Sequence, residues 1–567
     1  MKVSDYIVSY LIDKGVSDVF GYPGGMVTHL MDSFAKYEAS IRQHITYHEQ
    51  GAAFAACGYA QACGKTGVAY ATSGPGATNL LTGICSAWFD SVPTLFITGQ
   101  VNTNESKSGY GIRQRGFQET DIVSMASPVT KIAMYVDSPE MIKYALDKAF
   151  YEANTGRKGP VLLDIPMNVF RGEVKPEALA GFSEEEKLIL ITEEKRAELA
   201  KAIRQAERPV ILVGSGIKTA GEVDLAREAI GKTDIPVISS MLATDIIVEE
   251  DRFFGFIGAY GERAANFIAA KSDLIIALGA RMDIRQVGAR RENFAPGARI
   301  LRFDIDENEL AYKIHEDDIT VCCHVREALE LLSGLFAEDG GRPEWKNICL
   351  EIKKKLMGLD SMEASLFLRA LNPYIDDDAL ITTDVGQNQV WVPQSLKLKK
   401  GQKILFSGGH GAMGYSLPAA IGACAAEGKR VFCFVGDGGL QMNIQELQVL
   451  ARERLPIKVI LFNNSSLGMI RHFQEMYFES RFIGTLAAGG YSVPDFAALA
   501  GAYGIGYRLL ERPEDVSENI FTSVLPELIE IRLPDHTYVR PKLEFGKPNQ
   551  DQEPLIDREL YNYLMSL

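Results

Sequence analysis

The chain has 567 residues, too many for a single hydrophobic core, and at about 150 residues per domain it divides into about three or four units. With 46% hydrophobic and 23% charged residues it is ordinary globular material, which excludes a disordered or fibrous chain. The formal net charge of -15 excludes a general nucleic-acid binder, which needs a basic face for phosphates, although a local basic cluster could still hold a phosphorylated cofactor.

Lys2, Ser4, Asp5 and Tyr6 precede any apolar stretch and no small-residue cleavage site follows, so no secretory signal is expected. The longest apolar runs, such as 274–278 and 459–462, fall far short of the roughly 20 residues a membrane-spanning helix needs, and a soluble protein without a membrane partner is expected. Eight cysteines without a CxxC, two of them adjacent at Cys322 and Cys323, form neither a disulfide framework nor a zinc site; a reducing cytoplasm is the expected setting.

Near the N-terminus, a strand-like run at 41–47 leads into His48-Glu49-Gln50-Gly51 and then Ala52, Ala53, Phe54, Ala55 and Ala56, a helix that permits very close packing. Taken alone, Glu49 reads as a surface residue or a helix N-terminal charge. Further on, short apolar runs at 209–213, 274–278, 300–303, 430–435 and 457–462 end in turns and are followed by helical periodicity, which predicts buried parallel strands in α/β layers. Gly214-Ser215-Gly216 and Gly279-Ala280-Arg281 follow two of them, where glycine suits either a pyrophosphate or a common turn. Polar acidic stretches at 172–194, carrying Ser183, Glu184, Glu185, Glu186 and Lys187, and at 337–345, carrying Glu338, Asp339, Gly340 and Gly341, read as linkers. Three domains follow, about 1–170, 190–335 and 350–535, with a tail over 536–567 expected to wrap a surface or cover a site.

The strongest chemical signal is Gly436-Asp437-Gly438 after the run at 430–435, paired with Asn463-Asn464 after the run at 457–462. Residues 439–462 suffice for a helix crossover returning to a parallel strand, so Asp437 and Asn464 meet at the carboxyl edge of one sheet, where open α/β sheets bind ligands. Magnesium takes oxygen ligands from one or two protein groups with phosphate and water completing the octahedron. Asp437 offers an anion, Asn464 an amide oxygen and a main-chain carbonyl near Ser466 a third oxygen, while Gly438 and Gly439 let N–H groups approach a phosphate. Either motif alone is as easily an ordinary turn; the pair at this spacing predicts a metal and diphosphate site.

That pair resembles the signature of the thiamine-diphosphate-dependent enzymes. The resemblance implies thiamine diphosphate and Mg2+ as cofactors, with Asp437, Asn464 and the Ser466 carbonyl as metal ligands. Asp384-Val385-Gly386-Gln387-Asn388 is similar to the family's second diphosphate-contacting loop, which implies contacts from Gly386, Gln387 and Asn388, the last standing where many relatives have His. His48-Glu49 with 72–79 resembles the family's pyrimidine-binding domain, and Glu49 is implied as the carboxyl that hydrogen-bonds the aminopyrimidine and favours the imino tautomer that removes the thiazolium C2 proton. Pro23, Gly411, Gly436, Leu467, Gly468 and Met469 are implied as further cofactor contacts, and Met413 as the apolar prop for the bent cofactor. The implied fold is three parallel-sheet α/β domains (pyrimidine-binding, central and diphosphate-binding), assembled as a homodimer or homotetramer with active sites at the subunit interface.

The resemblance extends to about residue 535 and is nearest to the acetolactate (acetohydroxyacid) synthase branch, through Ser91-Val92-Pro93, Gly116-Phe117-Gln118-Glu119, Gly414-Tyr415-Ser416-Leu417 and Leu467-Gly468-Met469. It implies a decarboxylating carboligase acting on pyruvate or a related 2-oxo acid, with Phe117 and Gln118 among the catalytic residues, and with Arg285 holding the acceptor carboxylate in its guanidinium fork. An ion pair to Glu292 is the alternative role for Arg285. FAD is implied in the central domain, on 214–216, 279–285 and 304–306. Three departures stand out: Phe473 where synthases accepting 2-oxobutyrate carry Trp, a long basic segment at 102–115 with Lys107, Arg113 and Arg115, and an unusual tail. They leave open a nucleotide-linked keto sugar as acceptor, a flavin-linked 2-oxo-acid oxidase, and, outside catalysis, a cofactor-binding structural subunit, against which the intact Glu49, Asp437 and Asn464 stand.

Overall fold

Each short apolar run is buried on both faces and returned by a helix to the same sheet edge, which forces parallel pairing. The computed structural model describes residues 1–185, 190–338 and 340–567; residues 186–189 and 339, within the two expected linkers, lie outside the described residues. Eighteen described strands form three six-stranded parallel sheets.

In the first sheet, β1 (Asp18–Gly21), β2 (Arg42–Ile45), β3 (Gly67–Ala71), β4 (Thr94–Gln100), β5 (Ile132–Tyr135) and β6 (Pro160–Pro166) run in the order β2-β1-β3-β4-β6-β5. The second holds β7 (Pro209–Val213), β8 (Val237–Ser239), β9 (Phe253–Phe256), β10 (Leu274–Leu278), β11 (Arg299–Asp304) and β12 (Ile319–Cys322), in the order β12-β11-β10-β7-β8-β9. In the third, β13 (Leu380–Thr383), β14 (Lys403–Leu405), β15 (Val431–Gly436), β16 (Ile457–Asn463), β17 (Gly506–Leu510) and β18 (Glu527–Arg532) run β14-β13-β15-β16-β18-β17. The runs expected at 209–213 and 274–278 have those bounds, and the other three shift by a residue; the run at 41–47 contracts to β2. Each sheet has a point where the strand order turns, between β1 and β3, β7 and β10, and β13 and β15, and a parallel sheet opens a crevice at such a switch point.

The first and third domains share one core through two helices, Glu49–Cys63 and Ser416–Glu427. Their crossing leaves no room for side chains: a Cβ on Gly58 would fall on the Ala419 carbonyl, and one on Gly422 on the Ala55 carbonyl. Beside this contact the buried His44 ring lies between two carboxylates, Nε2 2.8 Å from Asp18 Oδ1 and Nδ1 2.7 Å from Glu453 Oε2. Burial opposes its charge, but the two partners hold its pKa above the usual histidine value.

The tail crosses the third domain and docks its terminal helix, Arg558–Ser566, on the second, with Leu564 fully buried. Arg263 grips it, donating to the Gln552 and Pro554 carbonyls while its Nε–Nη2 edge pairs with both oxygens of Asp360 at 2.8 and 2.9 Å. All eight cysteines are free thiols, and no described helix is long and apolar enough to cross a membrane.

The helix crossing gives a direct contrast between two glycines. Gly422→Ala should cost about 3 kcal/mol or more, because the added methyl has only backbone to displace. Gly334→Ala, in open space within the helix Val325–Glu338, should stabilise by about 0.5–1 kcal/mol. Thermal unfolding of the two variants measures both effects.

Candidate active site

The paired ends of β15 and β16, with Gly436 opposite Phe462, deliver Asp437 and Asn464 to one place. With the loop after β13 they line a cavity of about 570 Å³ at the switch point of the third sheet. Gly386, Gln387 and Asn388 come from that loop, Gly436, Asp437, Gly438 and Gly439 from the turn after β15, and Asn464, Ser466, Leu467, Gly468 and Met469 from the turn after β16. Met413 joins them from a loop and Arg285 from the short helix Ile284–Val287. Ser465, between two of these residues, sits in the left-handed region with φ 50° and is held there by its N–H donating to Asn463 Oδ1 at 3.0 Å, a strained turn of the kind found at ligand sites.

Asp437 is 1% exposed. Its Oδ1 accepts the Tyr491 hydroxyl at 2.6 Å, while Oδ2 is buried without a hydrogen-bond partner. Burial raises its pKa, against the lowering effect of Tyr491 and the Gly438, Ser465 and Ser466 N–H groups. Asn464 spends its amide nitrogen on Gln387 Oε1 at 3.0 Å, which leaves its carbonyl oxygen, and the buried Ser466 hydroxyl has no partner. This set of hard oxygens around an unsatisfied buried carboxylate fits a small divalent cation. Asn388 differs: its amide donates to the Asp384 carbonyl at 2.7 Å and so ties its own loop.

Two further carboxylates support this cavity, one at the head of the loop that carries Gly386 and one from the first domain. Asp384 is fully buried, its carboxyl pushed up to about 6 by burial, and it accepts the Gly414 and Ser416 N–H groups at 3.0 and 2.9 Å, which anchors the loop carrying Met413. Asp90, from the first domain, holds the same loop upstream through the Gly408 and Gly409 N–H groups at 2.9 and 2.7 Å, near Gly411 with φ 70°. From the tail, Leu543 to Gly546 line the cavity as well.

Glu49 does not line the Asp437 cavity of its own chain. It lies at the first turn of its helix, 7% exposed, with Oε2 accepting the Asn79 amide at 2.9 Å and Gly76 so close that a Cβ there would sit 3.1 Å from Oε1. Pro23 is exposed on the loop after β1. Phe117 is 80% exposed, and Gln118 beside it adopts φ 63°. Their loop is organised on Glu119, whose carboxylate accepts from Ser106 Oγ and from the N–H groups of Lys107, Arg115 and Gly116. Lys107 and Arg115 donate to carbonyls within the loop, and neither they nor Arg113 line the cavity.

A second cavity, of about 250 Å³, opens at the switch point of the central sheet, between Ser215-Gly216, Gly279-Ala280-Arg281 and Asp304-Ile305. Its glycines serve the protein itself: a Cβ on Gly214 would strike the Gly279 carbonyl, and one on Gly216 would lie 2.9 Å from Gly279 Cα. Tyr260 and Arg285 line both cavities, so the two meet there. Arg285 lies over the Tyr260 ring, 5.9 Å from its centroid, and makes no ion pair with Glu292 or another acid among the described residues.

Three family descriptions match: "Thiamine pyrophosphate enzyme, N-terminal TPP binding domain" over residues 1–125, the central domain of the same enzymes over 196–332, and their C-terminal TPP binding domain over 384–528. The chain is 37% identical to the acetolactate synthase large subunit of Lactococcus lactis over 558 residues, which cover 96% of this chain and 94% of that one. It is 34% identical to the isozyme 2 large subunit of Escherichia coli, covering 97% and 99%, and 33% identical to acetolactate synthase 1 of Nicotiana tabacum, covering 97% and 84%.

Tyr491 provides a test of the carboxylate geometry. A hydrogen bond to a charged group is worth about 1.5–3 kcal/mol, so Tyr491→Phe should weaken divalent-cation binding about tenfold, as read from a Mg2+ titration of the protein with its bound cofactor.

Proposed function

The chain belongs to the thiamine pyrophosphate enzyme family, in its acetolactate synthase branch, and we propose that it condenses two molecules of pyruvate, or of a close 2-oxo acid, with release of CO2 from one. It is a thiamine-diphosphate-dependent carboligase. The observation that carries the reading is the buried, unpartnered Asp437 Oδ2 beside Asn464 and Ser466, a cation-shaped deficit at the switch point of the third sheet.

In this reading Asp437, the Asn464 side chain and the Ser466 carbonyl would hold Mg2+. Gly386, Gln387, Gly436, Gly438, Gly439 and 467–469 would contact the cofactor diphosphate, Asn388 keeps their loop in shape, and Met413 would support the cofactor. When bound, the thiazolium would supply an acidic C–H, whose carbon becomes the nucleophile toward a keto carbon once its proton is removed, and an electron sink for the pair released with CO2. Glu49, set in a nearly dry pocket and oriented by Asn79, holds a hydrogen bond to the aminopyrimidine and so places its proton.

Because Glu49 is absent from its own chain's Asp437 cavity, a second copy of the chain must provide it, which supports a homodimer or homotetramer with sites between subunits. The exposed Phe117 with Gln118, and the loop of Pro23, would then close the shared cleft, with Gly411 turning the opposite loop. Arg285 is the single cationic side chain lining the Asp437 cavity among the described residues. One guanidinium suits the single carboxylate of a second 2-oxo acid better than a diphosphate-bearing acceptor, and Lys107 and Arg115 of the loop 102–115 are engaged within that loop. The central cavity, set at a sheet switch point between the turns at Gly216, Gly279 and Asp304 and meeting the Asp437 cavity at Arg285, suits FAD as a resident group. Free thiols support a cytoplasmic setting.

Incubation with pyruvate, thiamine diphosphate and Mg2+ should yield 2-acetolactate and CO2, identified by NMR, and the purified protein should show a flavin band in the visible. Pyruvate consumption that requires an added keto sugar, or that bleaches flavin in step with CO2, would contradict the carboligase reading.

A further inference from the structure

Glu446 is fully buried, and no step described so far uses it. It belongs to the third domain, a few residues beyond the turn that bears Asp437, yet its carboxylate reaches into the first. The Tyr47 N–H donates to its Oε1 at 3.0 Å and Oε2 at 3.2 Å, and the His48 N–H also acts on it. Gly51 lies so close that a Cβ there would sit 2.6 Å from Oε1. These residues flank Glu49 on both sides. The first N–H groups of a helix have no partner within it; here His48 Nδ1 takes that of Gln50 at 3.1 Å, and Glu446 takes those just upstream.

The same segment grips the chain once more on its way to this turn. Arg452 donates to the Ile45 carbonyl, and Glu453 accepts from His44 at 2.7 Å and from Arg42 at 3.2 Å. Residues 446–453 of the third domain therefore clamp 42–48 of the first at both ends, and the turn presenting Glu49 is set by a domain other than its own.

We propose that Glu446 is a positioning residue for the reaction, whose ionised carboxylate fixes the strand-to-helix turn and so the placement of the Glu49 carboxyl in the active centre. The inference rests on the reading of Glu49 given above. A carboxylate suits this place because it accepts N–H groups with both oxygens and offers none of its own, whereas an amide would turn a donor toward one of them. The charged and polar groups facing it are Arg452 and Gln445 from its own domain, and the Tyr47 and His48 N–H groups from the first. Burial raises its carboxyl to about 7 against the pull of the Tyr47 and His48 N–H groups and Arg452, so the charged form is present above that pH and lost below it. Acidification therefore loosens the turn.

The test compares Glu446→Gln, Glu446→Asp and Glu49→Gln in the full chain with thiamine diphosphate and Mg2+. For Glu446→Gln, kcat should fall about tenfold to a hundredfold, the cost of a carboxyl displaced by about 1 Å, with KM for pyruvate and cofactor affinity within about threefold. The acid limb of kcat near neutral pH should flatten, while Glu446→Asp recovers part of kcat and keeps a limb. An unchanged kcat and limb in Glu446→Gln would overturn the proposal, as would a loss confined to cofactor affinity. Should Glu446→Gln not fold, Glu446→Asp decides: a reduced kcat with a moved limb supports the role, and wild-type values refute it. Full turnover by Glu49→Gln would instead remove the underlying reading, whatever Glu446 does.

Discussion

Two helices cross without side chains between them, and the geometry of the molecule depends on that contact. Gly58 meets the backbone at Ala419 and Gly422 the backbone at Ala55, so the first and third domains are joined at a separation no other residue permits. The helix Glu49–Cys63 begins at the carboxyl proposed to activate the cofactor, and Ser416–Glu427 follows directly on the loop carrying Met413. Catalytic groups need placement to within about 0.5 Å, and backbone packed on backbone has little freedom to drift. The buried His44 between Asp18 and Glu453 adds a charged lock beside the same junction.

Charge is handled differently at the ligand-binding edges. Buried carboxylates are costly unless paired, and most in this chain are satisfied: Asp384 by two N–H groups, Asp90 by two, Glu446 by the turn before Glu49. Asp437, like Asp245, Asp318 and Glu327, keeps one buried oxygen unpaired, its other being on Tyr491, and of these four it alone lines the cavity of the third sheet. An anion left incomplete by the protein is completed by a cation it binds, and the diphosphate that the cation neutralises then finds glycine-lined turns on either side. Arg285, where the two cavities meet, gives the opposite sign to the far wall.

The three-sheet architecture was legible because buried parallel strands leave short apolar runs, and the runs at 209–213 and 274–278 coincide with β7 and β10. Gly436-Asp437-Gly438 and Asn463-Asn464 were legible because strand, turn and spacing are local, so one crossover brings them together. Tyr491, Asp90 and Glu446 were not, and Asp384 was read only as the head of a diphosphate-contacting loop and not as the anchor of the loop carrying Met413: each acts on a partner far along the chain or in another domain, and a lone Tyr, Asp or Glu carries no periodic signal. The glycines of the central domain were read as suiting either a pyrophosphate or a common turn, and in the structure Gly214 and Gly216 are required by the adjoining loop at Gly279. Close approach predicted from glycine is sound, but the approaching group is not encoded beside it. The basic loop shows the same limit, since the carboxylate of Glu119 and neighbouring carbonyls organise it in ways its composition does not reveal.

The central claim is that a carboxyl from one copy of the chain activates a cofactor whose metal is held by Asp437 of another. Exchange of the C2 proton of bound thiamine diphosphate with deuterium, followed by NMR after rapid acid quench, reads that activation without a substrate. In Glu49→Gln the exchange should slow by about a hundredfold or more with the cofactor still bound, in line with the usual size of a general acid–base contribution. Exchange at the wild-type rate in that variant would contradict the account.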